Sequence, residues 1–563
     1  MPATADLSAA APAGRRGWRR APAARSGWSR GALYALPIAL LTLVPLLVVL
    51  GYFLYPQAEI WQHLARHVLP RVVLNTAKLM ALVAIGVLAV GVPLAWLTAV
   101  CDFPGRRFFA WALMLPLAIP AYVLAFVQMG LFDFAGPAQT WARAWFGTSA
   151  FFPGLRNHAG VAAAVLTMAL YPYVYLLARN AFQTQGRRAL EAARTLGLPR
   201  WRAFAQVAVP MARPWIAGGL MLVMMETLAD FGAVAVLNYD TFTTAIYKSW
   251  FGLFNLPGAA QLASLLVLCV LLIAALEQRQ RGRRQYQVAY GHSPRVRLGR
   301  AAGWLACAAC LLVLLIAFAI PVLQLALWAG SVWRDELDAR YWQFAANSVT
   351  LSFSAAAVAT ALAVCLAWLR RRYDDAATAW TIRLAVLGYA VPGAVLAVGV
   401  FIPIAWLDER LAPLAQAFGL AGAPVLKGTL AAMLLALVAR FLTVAYQASD
   451  SAMQRVTRSQ DDAARSLGLG PRQRLARIYL PLMRPGLFAA FLLVFVDVLK
   501  EMPITLMTRT FGWDTLAVRI YQLTAESMWQ SAALPAAFIV LVGLLPVALL
   551  VRETDARPTT LRR

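Results

Sequence analysis

The chain has 563 residues, 61% of them hydrophobic and only 13% charged, with a mean hydropathy of +0.65. Soluble domains run at about 45–50% apolar and about 25% charged residues, so a water-soluble globular protein is excluded. A formal net charge of +26 would fit a nucleic-acid binder, and where that charge sits decides the matter.

Residues 1–30 are rich in Ala, Pro, Gly and Arg, with little to bury, and read as a basic cytoplasmic tail. Twelve apolar spans follow, at 33–54, 72–100, 108–132, 159–181, 215–237 and 259–276, then at 301–328, 348–369, 382–407, 430–448, 487–507 and 532–551. Most approach the ~20 residues a helix needs to cross a bilayer. The first span is too long for the core of a cleaved secretory signal and is expected to remain as the first helix. The expected fold is an all-α polytopic membrane protein, divided into a first repeat at 31–276, a linker at 277–300, a second repeat at 301–551 and a tail at 552–563.

With both termini placed inside, roughly 36 of the 51 Lys and Arg fall in inside loops and tails and roughly 11 in outside loops. That asymmetry orients the chain in a membrane and accounts for the basic charge without nucleic acid. Outside loops at 133–156, 238–256 and 508–530 carry Trp141, Trp145, Trp250, Trp513 and Trp529. They read as an interfacial aromatic belt, with a docking surface for an external partner as the alternative.

The sequence repeats itself. EAARTLGLPRWRAFAQVAVPMARPWIAGG at 191–219 returns as DAARSLGLGPRQRLARIYLPLMRPGLFAA at 462–490, a shift of 271 residues. Asn75-Thr76 answers Asn347-Ser348 and Pro120 answers Pro392 at a shift of 272, and Ile246-Tyr247 answers Ile520-Tyr521 at 274. The halves are therefore duplicates, each with an even number of spans. Both enter the membrane in one orientation, as parallel six-helix repeats related by an axis along the membrane normal. In each polar copy an acid (Glu191, Asp462) suits a helix N-terminus, and Ala192, Ala193, Ala463 and Ala464 allow close approach. Gly197 and Gly468 permit a left-handed turn, and Pro210 and Pro481 are expected to end the second stretch before the next span.

Cys307 and Cys310 have CxxC spacing but lie in an apolar span and read as a packed helix face. His63 and His67, spaced i, i+4, read as a surface pair, and no metal ligand set is assigned. No phosphate-binding loop surrounds any of the four lysines, so any ATP must be bound by another subunit. The most informative polar residues are Glu226 and Asp230 in the fifth span and Asp497 and Glu501 in the eleventh, matched at the 271-residue shift. Spaced four apart, each pair is expected to share a helix face. An acid at mid-membrane costs about 2.5–3.5 kcal/mol and should face the bundle interior or water. Four of them around one axis predict a pathway or gate suited to hard cations. Structural pairing with Lys500, Arg440 or Arg179 is the competing reading.

The two polar copies resemble the EAA loop of the permeases of ATP-binding-cassette importers. The first has Glu191-Ala192-Ala193, Gly197 and Val207-Ala208-Val209-Pro210, and the second has Asp462-Ala463-Ala464, Gly468 and Ile478-Tyr479-Leu480-Pro481, with Asp for Glu. The resemblance implies the type I importer permease fold, and coupling helices at these residues that dock on two copies of a cytoplasmic ATPase. It also implies ATP-Mg on that partner with no cofactor on this chain, a periplasmic substrate-binding protein, and a place in the bacterial inner membrane. TLADFG at 227–232, TFTTAIY at 241–247, KEMPIT at 500–505 and DTLA at 514–517 resemble fused ferric-iron importer permeases, with thiamine and phosphonate permeases as close relatives. A carrier driven by an ion gradient is the alternative class, although it has no need of a duplicated ATPase-docking loop.

Overall fold

The computed structural model describes residues 29–54, 58–147, 154–183, 197–280, 295–417 and 425–555. Among the described residues, eleven helices are long and apolar enough to cross a membrane, or twelve spans if the pair 376–390 and 393–413, bent by 116°, counts as one. The only strand pairing among the described residues is a two-residue parallel bridge, Cys101–Asp102 with Val296–Arg297.

The helices begin where the sequence offers caps. Asp338 accepts from the Tyr341 amide at 2.8 Å and Asp375 from that of Thr378 at 2.8 Å, opening Ala339–Arg372 and Ala376–Ala385. Four π turns, Leu64–Val68, Phe204–Ala208, Leu315–Ala319 and Leu475–Tyr479, each stand two residues before a proline: Pro70, Pro210, Pro321 and Pro481. A widened turn relieves the clash of the proline ring with the preceding carbonyl, so the helix continues through it. This corrects one expectation. Pro210 and Pro481 do not end their stretches but sit inside the continuous helices Phe204–Ala229 and Pro471–Leu499.

Four expected spans are broken. Span 108–132 consists of Arg106–Ala112, a 3-10 turn Leu115–Ala118, and Ala121–Phe132 after Pro120. Its counterpart breaks in the same place, with the 3-10 turn Gly388–Ala390 and Pro392 before Gly393–Ala417. Span 215–237 stops at Ala229 and resumes as Gly232–Val236; span 487–507 stops at Leu499 and resumes as Pro503–Thr508.

Symmetry-related bonds confirm the duplication in three dimensions. Asn75 Nδ2 donates to the Asp240 carbonyl at 3.0 Å, and Asn347 Nδ2 to the Asp514 carbonyl at 3.1 Å. The hydrophobic cores, however, do not follow the halves. One core joins Leu79, Val87, Leu124, Leu166 and Val223 of the first half to Cys310, Leu325, Ala533 and Ile539 of the second. The other joins Leu366, Leu396, Leu437 and Val494 of the second half to Ala35, Ile38, Leu262 and Leu266 of the first. Each half thus lends its first and last helices to the inner helices of the other. Cys310 is fully buried in this packing, as a core side chain. The His63 and His67 rings lie 5.1 Å apart.

Candidate functional site

The breaks after Ala229 and Leu499 place the acids. Asp230 lies past the helix end in extended backbone, and its Oδ1 accepts the Val234 amide at 3.1 Å, capping the next short helix. Glu501 does the same one repeat later, accepting the Ile504 amide at 3.1 Å and that of Thr505 at 3.2 Å. The expectation of shared helix faces is therefore corrected: Glu226 and Asp497 ride on long helices, while Asp230 and Glu501 are caps of the segments that follow. Capping explains why both positions are acidic. A carboxylate there satisfies amide donors that a helix start otherwise leaves open, and it faces the positive end of the peptide dipoles.

The breaks still bring all four together. Glu226, Asp230, Asp497 and Glu501 line one cavity of about 190 Å³ at the seam between the halves. Its wall also carries the 3-10 turns, which bring Tyr389, and the helix after Pro120, which brings Tyr122. The partners are unequal. Glu226 accepts from the Tyr389 hydroxyl at 2.9 Å, a bond between the halves. Asp497 pairs with Lys500 at 2.8 Å, and Glu501 with Arg440 at 3.5 Å, its side chain only 3% exposed. The Tyr122 hydroxyl is buried on the cavity wall and makes no hydrogen bond among the described residues. Gly393 leaves room for the ion pair: an added Cβ would stand 2.2 Å from Arg440 Nη1 and 2.8 Å from Glu501 Oε1.

Sequence reasoning found the four acids, Lys500 and Arg440, but not Tyr122, Tyr173 or Tyr389, which share the same wall. The available signal was their closeness to the duplicated prolines, Tyr122 two residues after Pro120 and Tyr389 three before Pro392. Arg179 does not line the cavity. The acids surround the space without converging: among the described residues, no three of His, Cys, Asp and Glu are grouped so as to hold a metal ion.

Of the two polar loops, Glu191, Ala192 and Ala193 lie outside the described residues. The second loop forms the helix Arg458–Ser466, opened by Thr457 and Gln460 in a reciprocal capping box. Asp462 is thus not at the helix start as expected. It sits inside the helix, exposed beside Ala463, while the acid of the first turn is the buried Asp461, and Ala464 is buried. Gly197 and Gly468 adopt φ of +82° and +76°, the left-handed conformation expected of them. After the second loop helix, Leu467 stands 80% exposed, an apolar side chain open to a partner. Burial raises the Asp461 pKa, but the Tyr479 hydroxyl and the Arg474 guanidinium outweigh it and hold the carboxyl below its ordinary value. Outside the loops, the Trp529 indole donates to Asp133 at 2.9 Å, tying the halves together, whereas Trp141 and Trp145 are exposed.

A doubled bundle of membrane-long helices with an ion-paired cavity at its seam is the architecture of a permease. A family model described as "binding-protein-dependent transport system inner membrane component" matches residues 91–285 and again 356–559, and the chain belongs to this family. It is the multi-pass inner-membrane component of an ATP-binding-cassette importer, a class that works with an ATPase and a substrate-binding protein. Over 487 residues it is 27% identical to the Fe(3+)-transport system permease protein FbpB 2 of Haemophilus influenzae, covering 84% of this chain and 88% of that protein. It is 32% identical over 207 residues to the molybdenum transport system permease protein ModB of Escherichia coli, covering 36% of this chain and 86% of that one. The sulfate transport system permease protein CysW of Synechocystis is 30% identical over 216 residues, covering 37% of this chain and 76% of that protein.

Proposed function

We propose that this permease carries ferric iron from a periplasmic binding protein to the cytoplasm, through the seam between its halves. The observation that carries the reading is the seam cavity itself, with four carboxylates against two cations and with tyrosine hydroxyls on its wall. Hard, highly charged cations favour oxygen donors of this kind. An anionic cargo such as molybdate or sulfate would instead meet a surplus of negative charge. The similarity to an Fe(3+) permease along most of the chain supports the same choice, while the molybdenum and sulfate relatives correspond to about a third of it.

Spreading the acids around the cavity suits passage, because a conducting site must bind well enough to admit the ion and loosely enough to release it. Lys500 and Arg440 neutralise the second half's acids while the path is empty, so an entering cation meets Glu226 and Asp230 first. Force reaches the seam through two cytoplasmic loops, at 191–219 and 462–490. There the left-handed turns at Gly197 and Gly468 mark the segments on which two copies of a separate ATPase dock, with ATP-Mg on the ATPase and both termini of this chain cytoplasmic. Closure of the ATPase pair rocks the bundle between outward- and inward-open states.

The test is uptake of radiolabelled ferric iron by the chain reconstituted with its ATPase and binding protein. The variant Glu226→Gln, Asp230→Asn, Asp497→Asn, Glu501→Gln is expected to lose uptake while still copurifying with the ATPase. Normal iron uptake by that variant, or molybdate uptake by the wild type, overturns the reading.

A further inference from the structure

Beside the second loop the chain builds a charged pocket. Asp461 accepts from Arg474 Nη1 at 2.6 Å, from Arg465 Nη2 at 3.0 Å and from the Tyr479 hydroxyl. Arg371, near the end of the helix Ala339–Arg372, donates to the carbonyls of Met453 at 2.8 Å and Val456 at 2.9 Å. Arg372 stacks 5.1 Å over Trp368 and has no carboxylate partner among the described residues. These groups enclose a cavity of about 140 Å³, with four guanidinium groups around a single carboxylate. Arg474 Nε is buried there and donates to nothing among the described residues.

The first repeat keeps an arginine, Arg194, at the position of Arg465 but not the other charged groups. At the positions of Asp461, Arg474 and Tyr479 the first repeat has Leu190, Ala203 and Ala208, and at those of Arg371 and Arg372 it has Ala99 and Val100. Ala203 and Ala208 are fully buried, and Trp96, the counterpart of Trp368, packs on Phe204 at 4.6 Å and Phe182 at 5.4 Å. At these matched positions the first repeat packs apolar side chains. The second carries three more guanidinium groups than its single carboxylate neutralises.

We propose that this pocket binds a phosphate group, supplied either by the headgroup of an anionic phospholipid or by free phosphate. Arginine forks match phosphate oxygens in pairs. The pocket lies where apolar helices end beside a tryptophan, the depth of lipid headgroups, and basic pockets between helices on the cytoplasmic side collect anionic lipids. A phosphate there bridges Arg372 on the bundle to Arg465 and Arg474 on the loop, and so stiffens the platform on which the ATPase docks. That consequence rests on the coupling role proposed above; the binding itself does not.

The test uses the full purified chain in neutral detergent, without ATPase or iron. Its melting temperature is followed against short-chain phosphatidylglycerol, short-chain phosphatidylcholine, inorganic phosphate, and potassium chloride at matched ionic strength. Phosphatidylglycerol or phosphate is expected to raise the melting temperature where phosphatidylcholine and chloride do not. Response to phosphatidylglycerol alone assigns the lipid, and response to phosphate assigns the free anion. The double variant Arg372→Gln, Arg465→Gln changes two exposed side chains and is expected to weaken binding at least about tenfold, while Arg372→Lys keeps the charge without the fork and loses less. Equal effects of phosphate and chloride with no preference between the lipids, or undiminished binding by the double variant, overturn the site.

Discussion

In the first half, Glu226 and Asp230 meet the seam cavity with a tyrosine hydroxyl and a backbone amide as partners, whereas in the second half Asp497 and Glu501 each hold a cation. The counterparts of Arg440 and Lys500 are Ala169 and Ala229, and that of Gly393 is Ala121. The second half has its cations together with the small residue that gives one of them room. Features the halves share, such as the Asn75 and Asn347 bonds and the paired helix breaks, build the bundle. Features they do not share decide which acids are paired with a cation. A similar difference stands beside the loops, where Ala203 and Ala208 occupy the positions of Arg474 and Tyr479.

The comparison breaks most sharply at Arg440. Arg440→Met leaves Glu501 buried without its cation and is expected to destabilise the protein by about 3–5 kcal/mol, read as a fall in melting temperature. Ala169→Met at the matching place in the first half disturbs no ion pair and is expected to cost far less. Equal losses would show that the pair contributes nothing. The loops come next: Gly468→Val places a β-branched residue at φ of +76°, at a cost of roughly 1–2 kcal/mol. ATP hydrolysis in the assembled importer is expected to become uncoupled from uptake, and a variant with unaltered coupling would remove that role from the turn. Smallest, and equal between the halves, are Asn75→Ala and Asn347→Ala. Each is expected to cost about 1 kcal/mol in thermal stability, since each removes one bond to a carbonyl. A large inequality would mean that the two bonds are not equivalent.

Much of this was legible in the sequence. The spans, the duplication, the left-handed glycines and the four acids follow from hydropathy, self-similarity and the cost of charge in a membrane. The breaks at 113–120 and 386–392 did not, because a hydropathy window averages over a turn made of apolar residues. The cue was present in the pairing of Pro120 with Pro392, but a proline in a membrane helix can equally be absorbed, as Pro210 and Pro481 are by π turns. A spacing of four suggested one helix face for Asp230 and Glu501, although an acid three or four residues before free amides is also a cap. The bond of Tyr389 to Glu226 was not legible, since the two lie 163 residues apart in opposite halves; only the nearby Pro392 hinted at the tyrosine.

The exchange of first and last helices between the cores has a mechanical outcome. Whatever bodies swing against each other during transport, their outlines are not those of the ancestral gene copies, since each is a composite with borrowed flanks. A chain severed between residues 280 and 295 would yield two fragments, each exposing an unfilled groove shaped for the other's ends. Fusion into one polypeptide keeps those reciprocal arms at a fixed ratio and within reach of their sockets from the moment of synthesis.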